Sequence, residues 1–268
     1  MDAECMRERR ICFIGGLHRS GTSLLHECIA AHPDVGAFRN TGVPKDEGQH
    51  LQSIIQPAAT FGGAGAFAFH PSSGLNETDN RCTKENRRNL WREWKPHWDV
   101  EKSLLVEKSP PNLLRTRFLQ GLFPGACFFI LVRHPIAVSY ATQKYTGLPL
   151  PWLLLHWLIA HKRFRADRSA IERVLVLRYE NLIASPHETL ESVWSFLNVR
   201  AVQPKENIRS TGNDRYFSHW ELQKRGSYPQ RAVTKVVSSL FESRFHAFGY
   251  SLEKEPQENL IGTALSQS

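Results

Sequence analysis

A glycine-rich turn near the N-terminus has the spacing of a phosphate-binding loop. Gly16 and Gly21 enclose four residues and are followed by the hydroxyl side chains of Thr22 and Ser23. This matches the nucleotide-binding pattern G-x-x-x-x-G-K-[ST], except that Thr22 replaces the lysine and the nearest cation is Arg19. Backbone N–H groups in such a turn, and the N-terminus of the helix after it, attract anions. The turn therefore predicts a site for a phosphate-like group.

A second basic residue ends a later apolar segment. The unbroken apolar run 128–132 leads directly into Arg133-His134-Pro135. A kinase or ATPase with this type of loop would need an acidic residue at the end of that strand to hold Mg²⁺. With Arg133 there, we expect a site for two anionic groups and no metal, suited to a nucleotide phosphorylated at both ends. The histidines also lack a metal-binding spacing such as H-E-x-x-H.

The segments that would position these residues alternate between buried strands and amphipathic helices. Apolar runs predict strands at 11–14, 35–38, 104–106, 128–132 and 174–177. Helical spacing follows at 24–29, 114–122 and 185–197, and the last helix begins with Ser185-Pro186-His187-Glu188, typical of a capping box. This alternation predicts an α/β fold in which a parallel sheet is covered by helices on both faces.

Residues 1–268 are expected to form a single domain with one insertion and a frayed tail. Residues 39–103 interrupt the alternation, and we predict that they form an insertion over the edge of the sheet, on the acceptor side. The tryptophans at 91, 94, 98, 152 and 157 either line an acceptor pocket or belong to the core. The polar, weakly patterned stretch 251–268 is predicted to be frayed.

Composition limits which cellular compartments and which classes of partner are expected. The formal charge of +8 suits a polyanionic ligand, but the basic residues are scattered and no aromatic-basic module predicts nucleic-acid binding. Residues 1–10 lack an apolar signal region, and the longest apolar run, 148–160, is shorter than the roughly 18 residues needed to cross a bilayer. Five cysteines without a C-x-x-C pair indicate a reducing compartment. We therefore expect a cytoplasmic protein with neither nucleic acid nor membrane as a partner.

Four blocks in the expected order resemble the sulfotransferases that use 3′-phosphoadenosine 5′-phosphosulfate (PAPS). They are residues 16–24, 106–110, 131–135 and 177–182, and the resemblance spans roughly residues 10–200. The sequence pattern as a whole is similar to that of bacterial natural-product sulfotransferases. Among these are cyanobacterial enzymes that modify saxitoxin-type guanidinium alkaloids. The resemblance implies PAPS as the donor, 3′-phosphoadenosine 5′-phosphate (PAP) as the product, and no metal.

The resemblance also implies a set of nucleotide-binding residues. The loop residues implied at the 5′-phosphosulfate are Arg19, Ser20, Gly21, Thr22 and Ser23. Arg133 would bind the 3′-phosphate together with a serine that commonly follows it by eight positions. Ala141 occupies that position here, so either Ser139 or Thr142, three residues apart on a predicted helix, would substitute. Tyr179 is implied near the nucleotide, and Lys224-Arg225-Gly226 resembles a basic segment that closes on the 3′-phosphate.

Sulfuryl transfer requires groups that neutralise the departing phosphate and a base that takes a proton from the acceptor. Arg19 serves the first role, and the resemblance implies that Lys108 bridges the leaving oxygen and the sulfuryl group. The candidate bases are Asp46, Glu47 and His50, in a run that could begin a helix with Glu47 and His50 on one face. Related enzymes that act on hydroxyls often carry a glutamate in this region, which favours Glu47, with His50 second.

The sequence thus predicts an enzyme that sulfates a hydroxyl or nitrogen of a small-molecule acceptor. Asp46 and Glu47 would suit a cationic acceptor such as a saxitoxin-type alkaloid. A glycan, a lipid or a peptide tyrosine are alternative acceptors. A P-loop kinase and a non-catalytic nucleic-acid-binding protein are the alternatives from other classes.

Overall fold

Five parallel strands form one sheet in the computed structural model, which describes residues 9–203, 208 and 211–253. They are β1 (Arg10–Gly16), β2 (Val35–Ala37), β3 (Leu104–Lys108), β4 (Cys127–Val132) and β5 (Val174–Arg178). The strand order is β2-β3-β1-β4-β5, so the direction of crossover changes at β1. Ligands of open parallel sheets bind beyond the carboxyl ends of the strands at such a point. The predicted strands and the predicted α/β class are confirmed.

Helices cover both faces of the sheet, as predicted. They are α1 (Thr22–Ala30), α2 (Lys84–Trp94), α3 (Thr116–Leu122), α4 (Pro135–Thr146), α5 (Leu150–Asp167), α6 (Tyr179–Ala184), α7 (Pro186–Leu197), α8 (Asp214–Arg225) and α9 (Tyr228–His246). Because side chains alternate along a strand, Phe13 and Phe128 pack in one core with α2 to α5, α8 and α9. Ile14 and Phe129 pack in a second core with α1, α6 and α7. None of the described helices is long and apolar enough to span a membrane.

The insertion between β2 and β3 packs against the face of the sheet that carries Phe13. Beside α2 it consists largely of single 3-10 turns, at Pro44–Asp46, Gly48–His50, Ala58–Phe61, Phe67–Phe69, Pro71–Ser73 and Lys95–His97. Trp91, Trp94 and Trp98 are buried in the core, and the Trp94 ring lies 6.0 Å from that of Phe13. For these three tryptophans the core interpretation is therefore correct, and the insertion covers a face rather than an edge.

The tryptophans of α5 differ from each other. Trp157 is fully buried, and its indole N–H donates to the backbone oxygen of Arg133, so it supports the site from within the core. Trp152 is 43% exposed, packs on the ring of Phe69 and donates to the backbone oxygen of Gly65. Of the two, only Trp152 is at the surface.

One local prediction is wrong. Ser185 is the N-cap of α7, but its hydroxyl caps no backbone N–H, so the predicted capping box does not form. At the start of the predicted tail, Leu252 is buried and its N–H donates to Glu242. The rest of the predicted tail, 254–268, lies outside the described residues.

Cys12 and Cys127 form a disulfide between β1 and β4. The two residues are register partners on these adjacent strands, with their Cα atoms 4.6 Å apart. No local spacing predicted the pair, because 115 residues separate them in the sequence and only strand pairing brings them together.

Candidate active site

The glycine-rich loop lies at the carboxyl end of β1. The chain passes through Arg19 and Gly21 in the left-handed region, with φ of 70° and 98°. A side chain at Gly21 would not fit, because a Cβ there would lie 2.4 Å from the ring of Tyr179. α1 begins at the next residue, Thr22, so its N-terminal N–H groups lie at the loop. The predicted strand, turn and helix are confirmed.

Ser20 supplies a buried hydroxyl at the centre of this loop. Its side chain is 1% exposed, and its Oγ has no hydrogen-bond partner among the described residues. Buried polar groups in folded proteins are nearly always paired. An unpartnered donor in an anion-binding turn fits a ligand oxygen.

Arg133 follows β4, and oxygen atoms of three residues hold its guanidinium. Nε donates to Asn213 Oδ1 over 2.8 Å. Nη1 and Nη2 donate to the backbone oxygens of Arg19 and Gly212, also over 2.8 Å. A guanidinium has five N–H donors, so these bonds leave donors for a ligand.

Tyr179 at the start of α6 provides a flat surface for this arginine. Arg133 Cζ lies 4.1 Å from the centre of the tyrosine ring, a cation–π distance. Burial lowers the pKa of Arg133, while the nearby Tyr179 and Glu180 act in the opposite direction. Arginine stays protonated under such shifts, so the site keeps its positive charge.

A pocket of about 670 Å³ opens between the loop, Arg133 and the segment that leads into α8. Among the described residues, the basic side chains that line it are Arg19, Arg133 and Arg215, and the rings of Tyr179 and Tyr216 also line it. The volume lies within the range of roughly 300–1,000 Å³ that is usual for small-molecule sites. The pocket is large enough for a nucleotide and carries a positive charge.

Sequence reasoning missed Arg215 and Tyr216. The guanidinium of Arg215 lies 4.6 Å from the centre of the Tyr216 ring and donates to its hydroxyl. Neither residue belongs to a motif quoted above. The one sequence feature that could have pointed to this segment is the nearby Gly212. A Cβ there would lie 2.3 Å from the Tyr179 hydroxyl, so the backbone passes close to the pocket at this glycine.

The predicted closing segment lies elsewhere. Arg225 is exposed at the end of α8, and Gly226 follows it. Ten residues of helix separate Arg225 from Arg215, which corresponds to about 15 Å. Arg225 and Gly226 are not among the described residues that line the pocket, so the structure places Arg215 beside Arg19 and Arg133 instead.

The hydroxyls predicted for the 3′-phosphate also lie apart from this pocket. Ser139 and Thr142 do lie on one side of α4, as predicted, but they line a second, small cavity with His18 and His156. Ser139 is buried, and its hydroxyl has no partner among the described residues. The described hydroxyl-bearing residues that line the pocket with Arg133 are Thr22, Ser23 and Thr211, beside Tyr179 and Tyr216.

Lys108 and Glu47 form a buried ion pair at the carboxyl end of β3. Lys108 Nζ lies 3.1 Å from Glu47 Oε1 and 2.8 Å from the backbone oxygen of Lys45. In the pairing of β3 with β1, Lys108 is opposite Ile14, two residues before Gly16. The structure therefore brings the predicted lysine and the predicted base together next to the loop.

The segment around Glu47 is not the helix that its sequence could begin. Glu47 is extended and separates the two 3-10 turns Pro44–Asp46 and Gly48–His50. His50 Nε2 nevertheless lies 4.0 Å from Glu47 Oε2, with its side chain partly exposed. His50 is thus close to Glu47 and partly open to solvent.

The Asp46 carboxylate is hydrogen-bonded within its own turn. Its carboxylate accepts hydrogen bonds from the N–H and the hydroxyl of Thr41 over 2.8 and 2.7 Å. Burial alone would raise the pKa of Asp46, but these bonds lower it. Of the three candidate bases, Glu47 is the one in contact with Lys108.

The fold and this site define an α/β protein with a P-loop-like turn, a pocket lined by arginines and a buried lysine–glutamate pair. Residues 12–204 match the model of the Sulfotransferase family. The chain belongs to that family.

Relatives with known activities support the same family at low identity. Protein-tyrosine sulfotransferase 1 of Danio rerio is 26% identical over 202 residues, which cover 72% of this chain and 54% of the relative. The protein-tyrosine sulfotransferase of Drosophila melanogaster is 26% identical over 209 residues, covering 72% of this chain and 39% of the relative. The chain thus spans about half the length, or less, of these relatives.

Solved structures share the fold. The sulfotransferase domain from the curacin biosynthetic pathway is 19% identical with a TM-score of 0.52, covering 91% of this chain and 98% of that one. A sulfotransferase from Mycobacterium tuberculosis is 17% identical with a TM-score of 0.53, covering 90% of this chain and 79% of that one.

Proposed function

We propose that this protein transfers the sulfuryl group of PAPS to a hydroxyl of a small-molecule acceptor, with Glu47 as the general base. The observation that supports this most directly is the Lys108–Glu47 pair, buried beside the glycine-rich loop. A loop that can bind a phosphate end, a cation, and a carboxylate in contact with that cation are the three groups that such a transfer needs.

The pocket fits a donor phosphorylated at both ends. Arg19, the unpartnered hydroxyl of Ser20 and the N-terminus of α1 suit the 5′-phosphosulfate end. Arg133 and Arg215 suit the 3′-phosphate end, since guanidinium groups bind phosphate with paired N–H donors. When bound, PAPS supplies an activated sulfuryl group on a phosphate that leaves readily.

Glu47 is placed to accept the proton of the acceptor hydroxyl. In the transfer, the S–O bond to the 5′-phosphate breaks, an S–O bond to the acceptor oxygen forms, and the hydroxyl proton passes to the Glu47 carboxylate. Lys108 and Arg19 hold the negative charge that develops on the departing phosphate oxygen. PAP and the sulfated acceptor are the products.

The acceptor class is argued from the site and the relatives together. The solved-structure neighbour from the curacin biosynthetic pathway motivates a small molecule. A guanidinium alkaloid acceptor is less favoured than a neutral hydroxyl, because Asp46 is bound to Thr41 and Glu47 to Lys108. A peptide tyrosine is the second candidate, because the relatives from Danio rerio and Drosophila melanogaster carry that activity in their names.

Calorimetric titration with PAP, and separately with ADP plus Mg²⁺, tests the donor site. We expect metal-independent PAP binding whose affinity falls at least about tenfold in Arg19→Ala and Arg133→Ala. Arg225→Ala is the matched control, since Arg225 is exposed and away from the pocket. Preference for ADP with Mg²⁺ would contradict the proposal and favour a kinase.

Transfer of labelled sulfate from PAPS to a panel of acceptors tests the reaction. The panel contains small alcohols and phenols, cationic alkaloids and tyrosine peptides. We expect product with the neutral hydroxyl compounds. Product with tyrosine peptides alone would establish the second candidate instead.

A further inference from the structure

Glu107 is a fully buried carboxyl next to Lys108 that the proposed reaction does not use. Successive residues of a strand point to opposite faces, yet both side chains contact the same segment, 45–49. Lys108 contacts it at Lys45 and Glu47. Glu107 contacts it at Gly48, whose N–H donates to Glu107 Oε1 over 3.0 Å. Segment 45–49 is therefore held from both sides of β3.

The carboxylate of Glu107 is surrounded by donors. Its Oε1 also accepts from the hydroxyl of Ser109 over 2.6 Å, and its Oε2 accepts from the amide of Asn112 over 2.5 Å. These donors suit an ionised carboxylate, which accepts hydrogen bonds only. The fit to Gly48 is close, because a Cβ there would lie 2.5 Å from Oε1.

We call Glu107 and its donors Ser109 and Asn112 the anchor of segment 45–49. Ser109 also binds the next residue of that segment, Gln49. Its Oγ accepts the backbone N–H of Gln49 over 2.9 Å while it donates to Glu107. The backbone N–H groups of the two residues that follow Glu47 are thus both bound to this group. Trp94 adds a third bond by donating to the backbone oxygen of Gly48.

The side chain of Gln49 connects the anchored backbone to the Glu47 carboxylate. Its Oε1 accepts from the N–H of Ala58 over 2.8 Å, which turns its NH₂ group toward Glu47. That NH₂ donates to Glu47 Oε2 over 2.5 Å. One oxygen of Glu47 is therefore held by Lys108 and the other by Gln49.

We propose that Glu107 is a positioning residue of the reaction. Through Ser109 and the backbone of Gly48 and Gln49, it holds the Glu47 carboxylate against Lys108. This inference rests on the proposed role of Glu47 as the base. Burial raises the pKa of Glu107 to about 7, although the bonds from Ser109 and Asn112 act to lower it.

Two variants test the anchor. Glu107→Gln places an amide donor or a weaker acceptor where donors converge, and Ser109→Ala removes only the acceptor for the Gln49 N–H. Thr116→Val is the control, because Thr116 is equally buried and its hydroxyl has no partner among the described residues. In each variant we would measure kcat, the affinity for PAP, and amide hydrogen exchange of Gly48 and Gln49.

In Glu107→Gln we expect kcat to fall about 10- to 100-fold, the cost of a base displaced by about 1 Å. Ser109→Ala should give a smaller loss in the same direction. PAP affinity should stay within about twofold, exchange at Gly48 and Gln49 should become faster, and Thr116→Val should change none of these quantities.

Faster exchange with an unchanged kcat would overturn the positioning role, and unchanged exchange would overturn the anchor itself. An equal loss of PAP affinity in Glu107→Gln would show a general structural role and would also overturn the proposal. If the wild type binds PAP but sulfates no acceptor, the proposed function fails, and exchange then reports on the anchor independently of activity.

Discussion

Arg133 and Tyr179 stack at the carboxyl ends of the neighbouring strands β4 and β5, with the guanidinium 4.1 Å from the ring centre. The same ring closes over Gly21 of the loop, and its hydroxyl meets Gly212 of the segment before α8. One side chain therefore joins the three parts of the pocket. The pocket is therefore assembled around Tyr179.

Replacing this ring should weaken nucleotide binding. In Tyr179→Leu we expect PAP affinity to fall roughly 3- to 30-fold, since a cation–π contact contributes about 0.5–2 kcal/mol. Tyr179→Phe keeps the ring and should stay within about twofold of the wild type. Calorimetry measures both, and an equal loss in the two variants would assign the effect to the hydroxyl instead.

Arg215 should bind the nucleotide and Arg225 should not. Arg215→Ala is expected to lower PAP affinity about tenfold or more, because hydrogen bonds to charged groups contribute about 1.5–3 kcal/mol. Arg225→Ala removes the same charge from the other end of α8 and should leave the affinity unchanged at moderate salt. The reverse result would support the implied role of segment 224–226 at the 3′-phosphate.

Asn213 links Arg133 to a carboxylate behind the site. Its Oδ1 accepts from Arg133 Nε, and its Nδ2 donates to Glu180 Oε1 over 2.9 Å. Asn213→Ala should lower PAP affinity about 3- to 10-fold, since it removes one neutral partner from each group. Ser218→Ala, an exposed change on α8, is the control, and an unchanged affinity in Asn213→Ala would show that Arg133 needs no such support.

The predicted site residues that the structure brings to one edge of the sheet are those adjacent to strand ends. Arg19, Lys108, Arg133 and Tyr179 each follow or end an apolar run, and the carboxyl ends of parallel strands meet at one edge. Local pattern and topology are enough to bring them together. The sequence does not decide whether the three insertion tryptophans belong to the core, because helical spacing does not show which surface a helix face meets.

The groups that the sequence missed depend on long-range contacts. Arg215 reaches the pocket because residues 211–216 return to Arg133, about 80 residues away, through hydrogen bonds of Asn213 and Gly212. Ser139 lies beside His18 rather than Arg133, since α4 turns that face toward the small cavity. Apart from Gly212, the local sequence does not predict either of these two contacts.

Glu47 should be the residue whose loss affects turnover most specifically. Glu47→Gln keeps the shape but cannot accept the proton, so we expect kcat to fall by about 10²- to 10⁴-fold with PAP affinity nearly unchanged. His50→Ala should reduce kcat much less, because His50 Nε2 lies 4.0 Å from the carboxylate and is partly exposed. A larger loss in His50→Ala would make the histidine the base.

Acid should unfold the protein through a set of buried histidines. Burial lowers the pKa of His18, His26, His134 and His161 to about 4 and that of His156 to about 3. In the unfolded chain a histidine titrates near pH 6.5. Between about pH 6.5 and 4 the unfolded chain therefore binds more protons than the folded protein, and stability falls as the pH falls.

Each such histidine contributes a slope of up to about 1.4 kcal/mol per pH unit in this window. Glu107 opposes one of them, because its pKa of about 7 in the folded protein makes the folded form bind a proton that the unfolded chain lacks above about pH 4.5. The five histidines outnumber Glu107, so the free energy of unfolding should fall as the pH falls from about 6.5 towards 4. Urea unfolding at pH 7.5, 6.5 and 5.5 measures this directly. The variant His161→Phe, which keeps a ring beside Trp157 without a titrating group, should show a shallower fall than the wild type. A free energy of unfolding that does not change from pH 7.5 to 5.5 would show that these histidines are protonated in the folded protein.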